Sequence, residues 1–137
     1  MNQSDIDLIK KHEGYKPRVY KDHLGFDTIG IGFKVDQLYL TEDVCETILT
    51  QKLSALELEI TQKFDWFRTS HGNIKTVVLS MCYQMGVTGF SKFTKTISYL
   101  AVGDMDKASE EMLDSRWARE QTPARAQELS NLLKRGV

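Results

Sequence analysis

Apolar positions change spacing several times along the chain, and each change marks an expected element. Ser4 precedes Asp5-Ile6-Asp7-Leu8-Ile9-Lys10-Lys11-His12-Glu13 and then Gly14. A capping hydroxyl, an acid three residues later, early carboxylates facing the helix dipole and a glycine stop predict a short helix ending at Glu13. From Tyr15 to Val35 the pattern becomes strand-like: Arg18-Val19-Tyr20-Lys21-Asp22, a turn around His23-Leu24-Gly25, then Thr28-Ile29-Gly30-Ile31-Gly32-Phe33. This predicts a glycine-rich hairpin. Gly30 and Gly32 fall on one strand face, which points either to a ligand or backbone passing close by or to a tight bend of the sheet.

Beyond Leu40, Thr41 with Glu42 and Asp43 opens a long helical pattern carried by Val44, Ile48, Leu53, Leu56 and Ile60 to about Gln62. Phe64, Trp66 and Phe67 break the period. A second pattern starts at Ser70 or His71 and runs through Ile74, Val77, Val78, Met81, Cys82 and Met85; its wide apolar face predicts a central buried helix ended by Gly86 and Gly89. Ser91 to Ala101 and Asp104 to Asp114 read as short helices separated by Gly103. Thr122-Pro123 reads as an N-cap with proline at the first helical position of a last helix that stops at Gly136. No repeat or low-complexity segment interrupts this order. The expected fold class is therefore α+β and mainly helical, with one small N-terminal hairpin.

Composition narrows the function classes. At 137 residues, 41% hydrophobic and 27% charged, the chain suits one globular domain. Its net charge of −1 supplies no global field toward nucleic acid or anionic membranes, so neither nucleic-acid binding nor stable membrane binding is expected. Charge is unevenly spread, with a net −4 over residues 36–70 and +2 over residues 71–137. Cys45 and Cys82 show no metal-ligand spacing and read as buried free thiols, with a disulfide as the lesser alternative. No apolar run reaches a membrane span, and residues 1–11 lack the pattern of a secretory signal. The sequence therefore predicts a protein kept in a cytosol, which needs help to reach anything outside.

Glu13, Asp22 and Thr28 are the candidate chemistry, since a helix end and the two strands of a hairpin can gather them at one site. A carboxyl at a helix C-terminus meets the negative end of the dipole, and apolar neighbours such as Ile9 and Tyr20 would desolvate it, favouring the protonated form of a general acid. A second carboxylate beside a turn stays ionised and can hold a water that a threonine hydroxyl orients. That division of labour suits glycoside hydrolysis. Each residue alone is more often a solvated charge or a turn former. His12 and His23 flank the carboxylates, but their spacing does not suit a metal site.

His12-Glu13-Gly14, Tyr20-Lys21-Asp22, Gly25 and Thr28-Ile29-Gly30-Ile31-Gly32 resemble, in order and spacing, the catalytic signature of the T4-type phage lysozymes, glycoside hydrolase family 24. Tyr83-Gln84-Met85-Gly86, Thr88-Gly89-Phe90, Ser115-Arg116-Trp117 and Gln121-Thr122-Pro123-Ala124-Arg125-Ala126 resemble that family's C-terminal lobe. The resemblance implies a muramidase that cleaves the β-1,4 bond between N-acetylmuramic acid and N-acetylglucosamine with inversion. Glu13 would be the proton donor, Asp22 the carboxylate positioning water and Thr28 the hydroxyl helping to hold it. Inversion asks for carboxyls about 6.5–9.5 Å apart. It further implies a single lysozyme domain over residues 1–137, with a small lobe at about 13–60 and a helical lobe at about 61–137 that also takes in the N-terminal helix 4–13. A cleft would lie between these lobes.

Gln84, Tyr83, Arg116, Gly30 and Phe33 are the expected substrate-binding residues. Tyr83 has core packing as its alternative, Arg116 has a structural ion pair, and Trp117 is expected in the core. No metal or organic cofactor is implied. The implied partner is peptidoglycan, reached from the host cytoplasm through a holin-type pore at phage-induced lysis, by a monomer. A tail-associated, prophage or toxin setting and a non-catalytic peptidoglycan-binding relative are the alternatives. Two departures from the family pattern stand out: Phe33 replaces a frequent histidine, and one residue is inserted between Trp117 and Gln121.

Overall fold

A computed structural model describes residues 1–70 and 72–136. Its first helix, α1 (Gln3–Glu13), begins two residues earlier than the spacing predicts. Asn2, not Ser4, is the cap: its side chain accepts from the Asp5 N–H at 3.2 Å, and the Asp5 carboxylate accepts from the Asn2 N–H at 2.8 Å. This reciprocal pair satisfies two end groups at once, which a serine two residues later does not do. Gly14, at φ +76°, ends the helix with its N–H on the Lys10 carbonyl.

The expected hairpin is a three-stranded antiparallel sheet in the order β1-β2-β3, formed by Lys16–Lys21, Asp27–Gly30 and Phe33–Lys34. Tyr20 pairs with Thr28 and Lys21 with Asp27, while Ile29 pairs with Phe33. The second strand stops at Gly30, because Gly30 and Gly32 both take φ +70° and turn the chain into β3. Left-handed φ at two nearby positions is what selects glycine there. The tight-bend reading of this pair therefore holds, and the two glycines do not share a strand face.

By compactness the chain divides into Met1–Cys45 and Glu46–Val137. Helix α2 (Glu42–Lys63) spans the division, and the Thr41 hydroxyl caps it by accepting from the Val44 N–H at 3.3 Å. Helices α3 (Asp65–Arg68), α4 (Gly72–Ser91), α5 (Thr94–Ala101), α6 (Met105–Leu113) and α7 (Pro123–Arg135) follow. The possible start at His71 lies outside the described residues. Gly86, at φ +78° and ψ 161°, interrupts α4 without ending it, and the helix resumes to Ser91.

The core lies in the second unit, where Phe67, Val77, Val78, Met81, Cys82, Phe90, Met112 and Leu133 are buried together. Each such side chain contributes roughly 1.5–3 kcal/mol by leaving water. Ala108 and Ala126, both fully buried, accompany a close approach of α6 and α7. There the Ser130 hydroxyl donates to the Ser109 carbonyl at 2.9 Å, so neither buried polar group is orphaned. Cys82 is buried as expected. Cys45 is exposed near the start of α2, and both thiols are free.

Between α6 and α7, Trp117–Gln121 forms a π-helical turn, with the Thr122 N–H on the Trp117 carbonyl at 2.9 Å. A wider turn is how a helical segment absorbs one extra residue without shifting what flanks it. The insertion that the resemblance implies between Trp117 and Gln121 would fall in this turn. Pro123 occupies the first position of α7 as predicted, but the Thr122 hydroxyl makes no cap bond and is buried without a partner among the described residues.

Candidate active site

The turn between β1 and β2 is built around Asp22. Its N–H donates to the Phe26 carbonyl at 2.9 Å, and its own carbonyl accepts from Gly25, which turns the chain at φ +86°. One carboxylate oxygen, Oδ1, accepts from the N–H groups of Leu24 and Phe26, each at 2.9 Å. The Phe26 N–H, then that of Leu24, with the charges of His23 and Lys34 behind them, outweighs partial burial and holds the Asp22 carboxyl below the usual aspartate range. The side chain is thus ionised and fixed through one oxygen. Among the described residues no donor hydrogen-bonds to its second oxygen.

Thr28, only 3% exposed, is the one buried residue described in the first unit. Its hydroxyl donates to the Phe26 carbonyl at 2.9 Å. The Phe26 backbone therefore links the two sequence-predicted residues: its N–H donates to Asp22 Oδ1 and its carbonyl accepts from the Thr28 hydroxyl. With that proton committed, Thr28 Oγ1 meets any further partner as an acceptor. Phe26 went unnoticed in the sequence because its contribution is backbone alone.

Glu13 stands at the last position of α1 and is exposed. The expected desolvation by Ile9 is not formed, since Ile9 is 58% exposed at a position where α1 buries no residue. What does approach Glu13 is Gly32: a Cβ there would lie 2.9 Å from the Glu13 carboxyl carbon and closer still to one of its oxygens. Gly30 plays the same part for Phe33, whose ring edge would meet a Cβ at 2.8 Å. Phe33 is half-exposed, with its ring packed on Gly30. Both glycines make room for side chains of their own unit.

The remaining predicted residues belong to the second unit. Tyr83 is 49% exposed and so does not belong to the core. Gln84 is also exposed, and its Oε1 accepts from the Trp117 indole N–H at 3.0 Å, which leaves the amide NH₂ free to donate outward. Trp117 is buried as predicted, packed edge-on against Phe93 at 5.8 Å between centroids. Arg116 pairs with Glu120 at 2.7 Å in an exposed i,i+4 contact, the structural role weighed for it, worth about 0–1 kcal/mol. It also lines a cleft of about 660 Å³ with Met85, Phe93 and Trp117. Among the described residues no cluster of three or more His, Cys, Asp or Glu side chains is placed to hold a metal ion.

The family described as Phage lysozyme matches residues 10–136, which takes in Glu13, the sheet and every helix after it. The chain belongs to the phage lysozyme family. Phage lysozymes are glycoside hydrolases, and the mainly helical α+β fold with its small sheet is consistent with membership. Among curated relatives, the pre-baseplate central spike protein Gp5 of Enterobacteria phage T4 is 28% identical over 163 residues, covering 98% of this chain and 28% of that protein. The probable T4-type lysozymes 1 and 2 of Dictyostelium discoideum are each 24% identical. Those two alignments cover 100% and 96% of this chain, and 97% and 94% of the relatives. The chain thus spans little more than a quarter of the spike protein and nearly all of the two lysozymes.

Proposed function

We propose that this phage lysozyme hydrolyses the β-1,4 bond between N-acetylmuramic acid and N-acetylglucosamine of bacterial peptidoglycan, with inversion at the anomeric carbon. The observation carrying this reading is the Asp22–Phe26–Thr28 network. A water at the free oxygen of Asp22 gives one proton to that carboxylate and directs the other at Thr28 Oγ1, which can only accept. Its lone pair is then left for the anomeric carbon. Glu13, protonated, gives its proton to the glycosidic oxygen as that bond breaks; one water is consumed and two free sugar ends result. Gln84 would donate its NH₂ to an acceptor on the glycan, Tyr83 and Phe33 would offer exposed ring surface, Gly30 would act by seating the Phe33 ring, and Arg116 would meet a substrate carboxylate. The two compact units would be the lobes of one lysozyme domain.

The test is the first product. Proton NMR of a fresh digest should show the α anomer at the new reducing end; the β anomer would refute inversion, and a 1,6-anhydro sugar would mean transglycosylation without hydrolysis. Glu13→Gln should lower activity by about 10²–10⁴-fold with the circular dichroism spectrum unchanged. A folded, active variant would remove Glu13 from the acid role.

For the biological setting, the reading is an endolysin that acts as a monomer and reaches the periplasmic wall from the host cytoplasm through a holin-type pore. Among the described residues no helix is long and apolar enough to cross a membrane by itself. The similarity to a central spike protein favours a second setting, a tail-associated lysozyme that opens the wall at entry. Immunoblotting of purified virions separates the two: the tail reading requires the protein in the particle.

A further inference from the structure

The third strand meets the Asp22–Phe26–Thr28 network through Lys34. This residue is the register partner of Thr28 in the β2–β3 ladder, and Phe26 stands two residues before Thr28. Opposed residues, and those two places along, carry their side chains on one face of a sheet, so Lys34 and Phe26 are diagonal neighbours across the strands. The contact is formed: the Lys34 Nζ lies 4.7 Å from the centre of the Phe26 ring.

No carboxylate competes for that ammonium. Lys34 is partly buried and makes no ion pair among the described residues. Asp27, next to Phe26, is taken by Lys21 at 2.6 Å, and Asp36, two residues after Lys34, makes no ion pair with it. A partly desolvated ammonium without an anion gains from the negative face of an aromatic ring. The ring gains as well. Phe26 is 48% exposed and outside the buried core, so surface contacts alone fix its side chain.

The consequence lies in the backbone that the ring carries. The Phe26 N–H donates to Asp22 Oδ1, and the Phe26 carbonyl accepts from the Thr28 hydroxyl. A ring tied to β3 restrains the residue that aims both groups. The same charge also acts on Asp22: after the N–H groups of Phe26 and Leu24 and the charge of His23, Lys34 favours its ionised form. We propose that Lys34 is a positioning residue, whose ammonium on the Phe26 ring holds the backbone that orients Asp22 and Thr28 toward water. This rests on the hydrolytic role given above to Asp22 and Thr28.

Two measurements on the full chain test it. A methylene group held over a ring face resonates upfield, so the ε-methylene protons of Lys34 should stand upfield of those of the other lysines and return to them in Phe26→Leu. No such displacement would overturn the contact, whatever the enzyme's activity. Lys34→Met keeps the stem and removes the charge; at about pH 7, where Asp22 is ionised in every variant, it should lower kcat about 2–5-fold with KM unchanged. Lys34→Arg, which offers another cation to the ring, should restore kcat. In the Phe26→Leu background, Lys34→Met should cost nothing further, because the pair is already broken. A raised KM with unchanged kcat would make Lys34 a direct glycan contact, and a full loss persisting without the ring would mean that it does not act through Phe26; either overturns the proposal. Failure of the catalytic reading is seen separately, in the anomer released by the unaltered enzyme.

Discussion

At the scale of single residues, the two oxygens of Asp22 do different work. Oδ1 holds the turn through Leu24 and Phe26, and the other oxygen remains for water. Asp22→Asn keeps an acceptor for both N–H groups but removes the base, so it should fold as the wild type does and lose about 10²–10⁴-fold in activity. Asp22→Ala should lose activity and also loosen the turn, read as faster amide exchange at Leu24 and Phe26. Because the folded-state pKa of Asp22 lies below its unfolded value, its contribution to stability is complete above about pH 4 and is lost as pH falls through the folded value. Urea midpoints measured at about pH 5 and about pH 3 should therefore fall more for the wild type than for Asp22→Asn. The two thiols form a second contrast. Burial, with Glu59 adding to it, raises the Cys82 pKa to about 12, while Cys45 is exposed. A thiol reagent should label one cysteine quickly in the native protein and the second only after unfolding.

At the scale of elements, the β2–β3 turn and the end of α1 are coupled through Gly32. Gly32→Ala places a methyl group against the Glu13 carboxyl and imposes φ +70° on a residue with a Cβ. The variant should lose about 1–2 kcal/mol of stability, measured by urea unfolding. Its activity per folded molecule should fall as well, because Glu13 must move; unchanged kcat in a folded variant would refute the coupling. Sequence spacing located both partners of this contact but assigned the glycine to a strand face, since alternation alone does not reveal that two nearby φ angles are positive. The Asn2 cap of α1 was missed for a similar reason. Ser4 and Asn2 are both good caps by type, and only the observed bonds to Asp5 distinguish them.

For the whole molecule, the near-zero net charge predicts a shallow dependence of wall hydrolysis on salt. Rates on purified peptidoglycan from about 20 to about 200 mM salt should change only a few-fold, and a steep monotonic fall would refute this. The sequence by itself determined the order of the longer helices, the buried face of α4, the start of α7 and the small N-terminal hairpin, because apolar periodicity, caps and glycine stops are local properties of the chain, and its motifs carried the resemblance to the family. It also singled out Glu13, Asp22 and Thr28 by residue type and spacing. Tertiary structure decided what those residues touch: that Phe26 binds both Asp22 and Thr28 through its backbone, that Trp117 engages the Gln84 oxygen, that Gly86 bends α4 without ending it, and that Cys45 is exposed. Each is a matter of which groups meet after the chain turns back on itself, and such meetings depend on φ and ψ at a few turns that side-chain patterns do not encode.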